Sequence, residues 1–450
     1  MSRCKIDPNL VLFIDPAGVR SQEDWLFFEG CPNDAVELLK QGSNLVCRFP
    51  RSRFLHQLLA KAAFRLNGVM ASSVLLVNDG LLSCFLHAGS NKAYRLYARH
   101  HLLNMTSLRR RMVSSLPLCL RCESTFLVLL CREESSHADG GDRALVEATE
   151  LMFFSNPLGK LLLLDARNMA SEQGEIVKTT AHRGYLPVME REFATLSDIS
   201  AKMTDSRSLP QLGRHFVLNG RHFFTEKYVS GESLRGVLQR HGSRGEPAQA
   251  CCVLHRLDEW YDLYLGAFTG SPRPFSALSD HLLPLFFACY RGDRPDLVEA
   301  ARRHLAEIDR SLPGVVPVVS HNDLWPGNFL CTEKGLVVLD WERATRERAP
   351  FFDYFWMMVS ATLEYLAGAR GVRYYSSNLK IFLKAEDEVS LEAHRLLRLF
   401  LKRFGVPDQQ FQALLFLFLM EAAVQGYQAL GRQTETDGEF FNILVQFAGR

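Results

Sequence analysis

Residues 315–342 read VVPVVSHNDLWPGNFLCTEKGLVVLDWE, a strand-rich island in a half of the chain otherwise patterned for helices. Residues 317–320 make a short apolar strand, and 321–328 a polar loop punctuated by Pro326 and Gly327. Two more apolar runs, 329–330 and 336–339, pair as a hairpin that ends in Asp340-Trp341-Glu342. Asp323, Asn328 and Asp340 are therefore held at the ends of apolar strands. Phosphoryl transfer from a nucleotide needs such a set. A metal between phosphates wants hard oxygen ligands, and the attacking hydroxyl needs a carboxylate to take its proton. Asn328 and Asp340 suit the metal, and Asp323 the substrate. The bland reading of the same residues is a polar turn with capping side chains.

The loop His321-x-Asp323-x-x-x-x-Asn328, followed by an apolar strand ending in Asp340, resembles the catalytic and metal-binding segments of a known family. That family is the aminoglycoside phosphotransferase and choline kinase-like branch of the protein-kinase-like fold. Asp340-Trp341-Glu342 stands where protein kinases keep Asp-Phe-Gly. The resemblance covers roughly residues 142–450 and implies an α+β, two-lobed fold: a small antiparallel sheet lobe, then a larger helical lobe carrying the catalytic loop. It implies ATP and Mg2+ as cofactors and a small-molecule hydroxyl, on a sugar, amino sugar or amino alcohol, as acceptor. Asp353, in Pro350-x-x-Asp353, resembles the aspartate that steadies the catalytic loop, and His321 is better read as structural support than as a base. Only twelve residues separate Asp340 from Asp353, too few for a long regulatory loop, which favours a small-molecule kinase over a protein kinase.

Working back toward the N-terminus, three strand patterns, TELMFFSN, KLLLLDA and GEIVKTT, read as an antiparallel meander. Next comes a helix pattern, LPVMEREFATLSDISAKM, with Val188, Phe193, Leu196 and Ile199 on one stripe. Two further strands, HFVLNG and HFFTEKYV, lead into helices expected at 247–266, 278–311, 352–366, 391–404 and 409–430. In the resemblance, Lys178 holds nucleotide phosphates and Glu192 is its ion-pair partner. Glu190 is the alternative, since residues two apart on a helix point in different directions. Ser155 and Asn156, in the turn Ser155-Asn156-Pro157-Leu158-Gly159, would lie over the phosphates. Glu226 and Tyr228 fall in the adenine-contacting hinge, acting through backbone groups. The default readings are an edge-strand lysine for Lys178 and a solvated helix face for Glu192.

The first third alternates strand-like runs with helical patterns and reads as an accessory α/β domain over 1–131. It faintly resembles part of a class I methyltransferase sheet but lacks the glycine-rich first turn, so no methyl transfer is expected. Residues 132–143, REESSHADGGDR, read as a linker, 144–229 as the sheet lobe and 230–450 as the helical lobe. Cys119-x-x-Cys122, with Cys131 and His137, lacks a second tight ligand pair and reads as ordinary thiols instead of a zinc site. Arg343, Arg346 and Arg348 follow the second aspartate closely, where cations meet either a phosphate, an anionic acceptor or solvent. Asp258, Glu259, Asp262 and Glu364 would suit a cationic acceptor if they lined its site.

With 450 residues, about 150 per domain allow two or three cores. Lys+Arg number 52 against 50 Asp+Glu, so the net charge of +2 carries no polyelectrolyte signature and no nucleic-acid partner is expected. The most apolar stretch, FQALLFLFLM at 411–420, is too short to span a bilayer and reads as a buried helix. Eleven dilute cysteines and an unpatterned start point to a cytoplasmic protein; oligomeric state is left open. A small-molecule kinase is the leading expectation, and a catalytically inactive kinase-like binding or scaffold protein the alternative.

Overall fold

Short runs dense in Val, Leu and Phe pair into one long sheet, and the helix-patterned half packs around a single central helix. The chain is seen in a computed structural model that describes residues 25–29, 44–50, 71–78, 83–87, 124–129, 151–154, 160–164, 174–180, 183–290, 294–312, 314–371, 375–430 and 439–448. Two compact units divide it: residues 1–193 with 211–229, and 194–210 with 230–450.

The first unit holds β1 (Trp25–Glu29), β2 (Asn44–Pro50), β3 (Ala71–Asn78), β4 (Ser83–His87), β5 (Ser124–Leu129), β6 (Leu151–Phe154), β7 (Lys160–Leu164), β8 (Glu175–Thr180), β9 (Leu212–Leu218) and β10 (Arg221–Lys227). They form a ten-stranded sheet in the order β1-β2-β5-β3-β4-β6-β7-β8-β10-β9. The β1–β2 pair is parallel and the others are antiparallel. Strands β6, β7 and β8 run as the meander their alternating turns suggest. β4 pairs with β6, so strands on both sides of residues 132–143 hydrogen-bond into one sheet. The linker itself, and the helices expected in the first third, lie outside the described residues. Asn219 and Gly220, both at positive φ (47° and 76°), close the β9–β10 hairpin with the turn that matches strand twist.

Helix α1 (Leu186–Lys202) follows β8. Its buried stripe runs through Met189, Glu192, Thr195, Leu196 and Ile199; it keeps Leu196 and Ile199 of the expected stripe, while Val188 and Phe193 are half-buried. Residues three and four apart share a helix face, so Glu192 lies inward with Met189, Thr195 and Leu196, and Glu190 is exposed.

The second unit contains α2 (Leu234–Arg244), α3 (Pro247–Leu265), α4 (Phe275–Leu278), α5 (Leu282–Tyr290), α6 (Pro295–Ser311), α7 (Phe351–Arg370), α8 (Tyr375–Lys384), α9 (Glu388–Arg403), α10 (Phe411–Leu430) and α11 (Glu439–Ala448). The single helix expected over 278–311 is broken. Ser279 closes α4 and α6 restarts at Pro295, whose fixed φ suits a first turn and would cost a hydrogen bond in mid-helix. Helix α7 is buried nearly all round from Phe351 to Leu366. It crosses α2 where Gly242 and Gly368 meet opposing backbone; a Cβ on either would stand 2.1 Å from a carbonyl oxygen. The apolar 411–420 stretch is the buried first half of α10. No helix among the described residues is long and apolar enough to cross a membrane.

Small sheets complete this unit. β11 (Glu232–Ser233) pairs with β13 (Phe329–Thr332), which pairs with β14 (Gly335–Val338); β12 (Val318–Ser320) pairs with β15 (Thr345–Arg348).

Candidate active site

The hairpin of β13 and β14 brings the ends of the island together. Phe329 stands opposite Val338, so Asn328 and Leu339 meet, and the Leu339 N–H donates to the Asn328 carbonyl at 2.8 Å. The Asn328 side chain reaches back across the loop: its Nδ2 donates to the Asp323 carbonyl at 2.8 Å and to Asp323 Oδ2 at 3.2 Å. With Nδ2 turned to Asp323, Oδ1 is the amide atom left to ligate a cation. Asp340, one residue past Leu339, takes a left-handed conformation (φ 65°, ψ 60°). Non-glycine residues seldom hold this region, and aspartate is among those that do.

Two braces hold the loop. His321 is 1% exposed; its Nε2 donates to the Leu339 carbonyl at 2.9 Å, and its ring lies 4.6 Å from that of buried Trp341. Asp353, in the first turn of α7 and also 1% exposed, accepts the peptide N–H groups of His321 at 2.5 Å and Asn322 at 2.9 Å. Burial pushes the Asp353 carboxyl up, opposed by His321 and these hydrogen bonds. The Trp325 ring covers Gly327, where a Cβ would clash at 2.2 Å, and Arg235 of α2 lies over that ring at 5.4 Å. Buried Glu364 of α7 holds Arg235 at 3.2 Å and Gln239 at 2.6 Å. The sequence singles out neither Arg235 nor Trp325, because a stack between distant segments leaves no local pattern.

Asp323 is half-buried and its carboxyl is pushed up to about 6. Burial is the main cause; Arg343 pulls it back, Asp340 adds to the rise and the Asn328 bond opposes it. A carboxylate so placed is ionised at neutral pH yet basic enough to take a proton.

The first unit carries a second cluster that strand register explains. Lys178 on β8 faces Leu162 on β7 and Phe224 on β10, so Lys160 and Glu226, two residues beyond those partners, share its face of the sheet. Glu192 of α1 covers that face. Lys178 Nζ donates to Glu192 Oε1 at 2.8 Å and also to Glu226, while Lys160 reaches Glu192 at 3.4 Å. Burial alone would lower the Lys178 pKa, but Glu192 and Glu226 outweigh it and the net shift is upward. Burial pushes Glu226 up, countered by Lys178 and reinforced by Glu192.

In the expected hinge, Glu226 bonds Lys178 through its side chain, and the N–H groups of Lys227 and Tyr228 donate to the Gln211 and Gly174 carbonyls at 2.8 and 2.7 Å. Ser155 and Asn156 lie outside the described residues, as do Cys119, Cys122, Cys131 and His137. Three of the four carboxylates suggested for a cationic acceptor are paired inside the protein: Asp258 and Asp262 with Arg403, and Glu364 with Arg235. Glu259 is exposed.

These residues fall in a segment with known relatives. Residues 171–374 match the model of the phosphotransferase enzyme family, which bears out the resemblance read from His321, Asp323, Asn328 and Asp340. That match spans under half of the chain. Similar solved structures include the GDP complex of wild-type aminoglycoside 2'-phosphotransferase-IIIa, at 15% identity over 66% of this chain and 91% of that one, TM-score 0.36. The choline kinase from Cryptosporidium parvum Iowa II is 11% identical over 66% and 88%, TM-score 0.38. The Plasmodium vivax ethanolamine kinase is 11% identical over 80% and 93%, TM-score 0.36. No curated protein sequence matches the chain.

Proposed function

We propose that the protein is an ATP- and Mg2+-dependent phosphotransferase acting on a hydroxyl of a small molecule. The observation that carries this reading is the braced Asp323–Asn328 pair beside Asp340, in a segment that matches a phosphotransferase family. Asp323 orients the acceptor hydroxyl and takes its proton as the oxygen attacks. Asn328 Oδ1 and the Asp340 carboxylate form a hard-oxygen donor set that fits magnesium and would hold it. Bound there, magnesium would neutralise charge on the phosphates. Lys178 would hold nucleotide phosphates as a compact cation, with Glu192 orienting its ammonium. His321 and Asp353 keep the loop from moving, so the acceptor meets a preformed base.

The second reading is a catalytically inactive kinase-like binding protein. The hold of Glu226 on Lys178, in addition to Glu192, favours it, because a phosphate must compete with two carboxylates. Melting the full chain with and without Mg-ATP, then following ADP release with a panel of alcohols, separates the two. The phosphotransferase reading expects a raised melting temperature and alcohol-dependent ADP release. A raised melting temperature without ADP release supports the binding protein, and no shift at millimolar nucleotide contradicts nucleotide use.

A further inference from the structure

Of the three arginines after Asp340, Arg346 pairs with Asp198 on the surface at 3.1 Å, and Arg343 acts through its charge on Asp323. Arg348 differs. It lines a pocket of the second unit that opens to solvent. Phe275, Phe352, Phe355 and Phe418 supply an apolar wall, and Ser320 and Asn322 bring the pocket to the catalytic loop, with Asn322 adjacent to Asp323. His281 and Glu421 complete the lining, His281 Nε2 lying 3.3 Å from Glu421 Oε1. His281 Nδ1 is buried without a hydrogen-bond partner among the described residues.

The Arg348 guanidinium makes no hydrogen bond to a described residue. Burial lowers its pKa, and Glu421, Asp280 and Asp353 offset this only through their charge. Arg348 is half-buried, and an arginine fork without an acceptor among the described residues, at the edge of a pocket, is shaped for a planar, two-oxygen partner. An ammonium brought here would meet the guanidinium in a low-dielectric surrounding, where like charges repel strongly. Of the carboxylates near Arg348, Asp353 is committed to the His321 and Asn322 peptide groups and Asp280 is exposed to solvent. Glu421 does not reverse this balance: burial pushes its carboxyl up to about 7, so it presents a proton as readily as a charge. Phe418 and Glu421 also lie beyond residue 374, outside the family match, where this chain's own specificity can reside.

We propose that this pocket seats the phosphate acceptor, and that the acceptor is an alcohol carrying a carboxylate held by Arg348, with an apolar or aromatic body against the phenylalanine wall. The proposal rests on the phosphotransferase reading for the word acceptor, but the site is testable without nucleotide. His281 and Glu421 bond hydroxyls of the bound molecule.

The test is calorimetric titration of the full chain, free of nucleotide, with three probes of one shape: phenyllactate, phenylalaninol and 3-phenylpropane-1,2-diol. Phenyllactate binds best and phenylalaninol worst. Arg348→Met weakens phenyllactate by about tenfold or more, the loss of a charge-assisted bond. Arg348→Lys, which keeps the charge without the fork, recovers part of it and shows that the pocket is still folded. Equal or tighter binding of phenylalaninol, unchanged phenyllactate binding in Arg348→Met, or no binding of phenyllactate at millimolar concentration each overturns the proposal. Phenyllactate binding in a protein that transfers phosphate to no alcohol would instead sink the phosphotransferase reading and leave the carboxylate site standing.

Discussion

The carboxylate of Asp353 accepts the peptide N–H of His321 at 2.5 Å from a helix that begins only two residues earlier. The start of the most buried helix is thereby tied to the loop that carries Asp323. Asp353→Ala leaves the N–H groups of His321 and Asn322 without their acceptor, which costs about 2–4 kcal/mol. Asp353→Asn, whose amide oxygen can accept one of them, costs less. Urea unfolding of the full chain measures both, and an alanine variant as stable as the parent would show that the brace is not needed.

Asp323 makes the proposed reaction pH-dependent. Its carboxyl, held near 6 mainly by burial, must be ionised to take the hydroxyl proton, so activity rises with pH through about 6. kcat/KM, which reports the free enzyme, is the quantity to follow. A profile flat from pH 5 to 8 would remove Asp323 from the role of base.

Much of this site is legible in the sequence because its parts are close along the chain. The His321 loop, the β13–β14 hairpin and Asp340 lie within about thirty residues, and strand ends followed by Pro and Gly mark where polar groups must emerge. The Lys178 cluster is only half legible. Lys178 and a glutamate on the next helix are visible, but choosing Glu192 over Glu190 needs the buried face of the helix, which includes Glu192 and Thr195 as well as apolar residues. Glu226 and Lys160 depend on register between strands, which alternation within one strand cannot fix. The Arg235–Trp325 stack and the Arg348 pocket join segments 90 and 73 residues apart, from Arg235 to Trp325 and from Arg348 to Glu421, and nothing local announces them.

Lys178 binds two buried carboxylates at once, so its removal strands both. Lys178→Met should destabilise the protein by about 3–5 kcal/mol, because Glu192 and Glu226 both lose the ammonium that bonds them. Adding Glu226→Gln to Lys178→Met should recover part of the loss. Denaturant unfolding of the single and double variants checks this, and additive losses would contradict a shared cluster.

Glu421 predicts a pH-dependent stability of unusual sign. Its carboxyl is raised by burial to about 7 in the folded protein against 4.5 ordinarily, with Arg348 opposing the rise. Below the ordinary value both folded and unfolded states are protonated. As pH climbs toward 7 the unfolded chain releases its proton while the folded one holds it, so Glu421 costs stability progressively, at most ~3 kcal/mol. Glu421→Gln should therefore be more stable than the parent at pH 8 and close to it at pH 4. Parallel stability curves for the two proteins would refute the assignment.

The central claim is that Asp323 is the base of a phosphotransfer reaction. Its most direct measurement is transfer of labelled γ-phosphate from Mg-ATP to an alcohol, comparing the parent with Asp323→Asn. The parent should form a phosphorylated alcohol, and the asparagine variant, isosteric and still able to bond Asn328, should do so about 100-fold to 10,000-fold more slowly while keeping its fold. Equal transfer by both proteins would contradict the account.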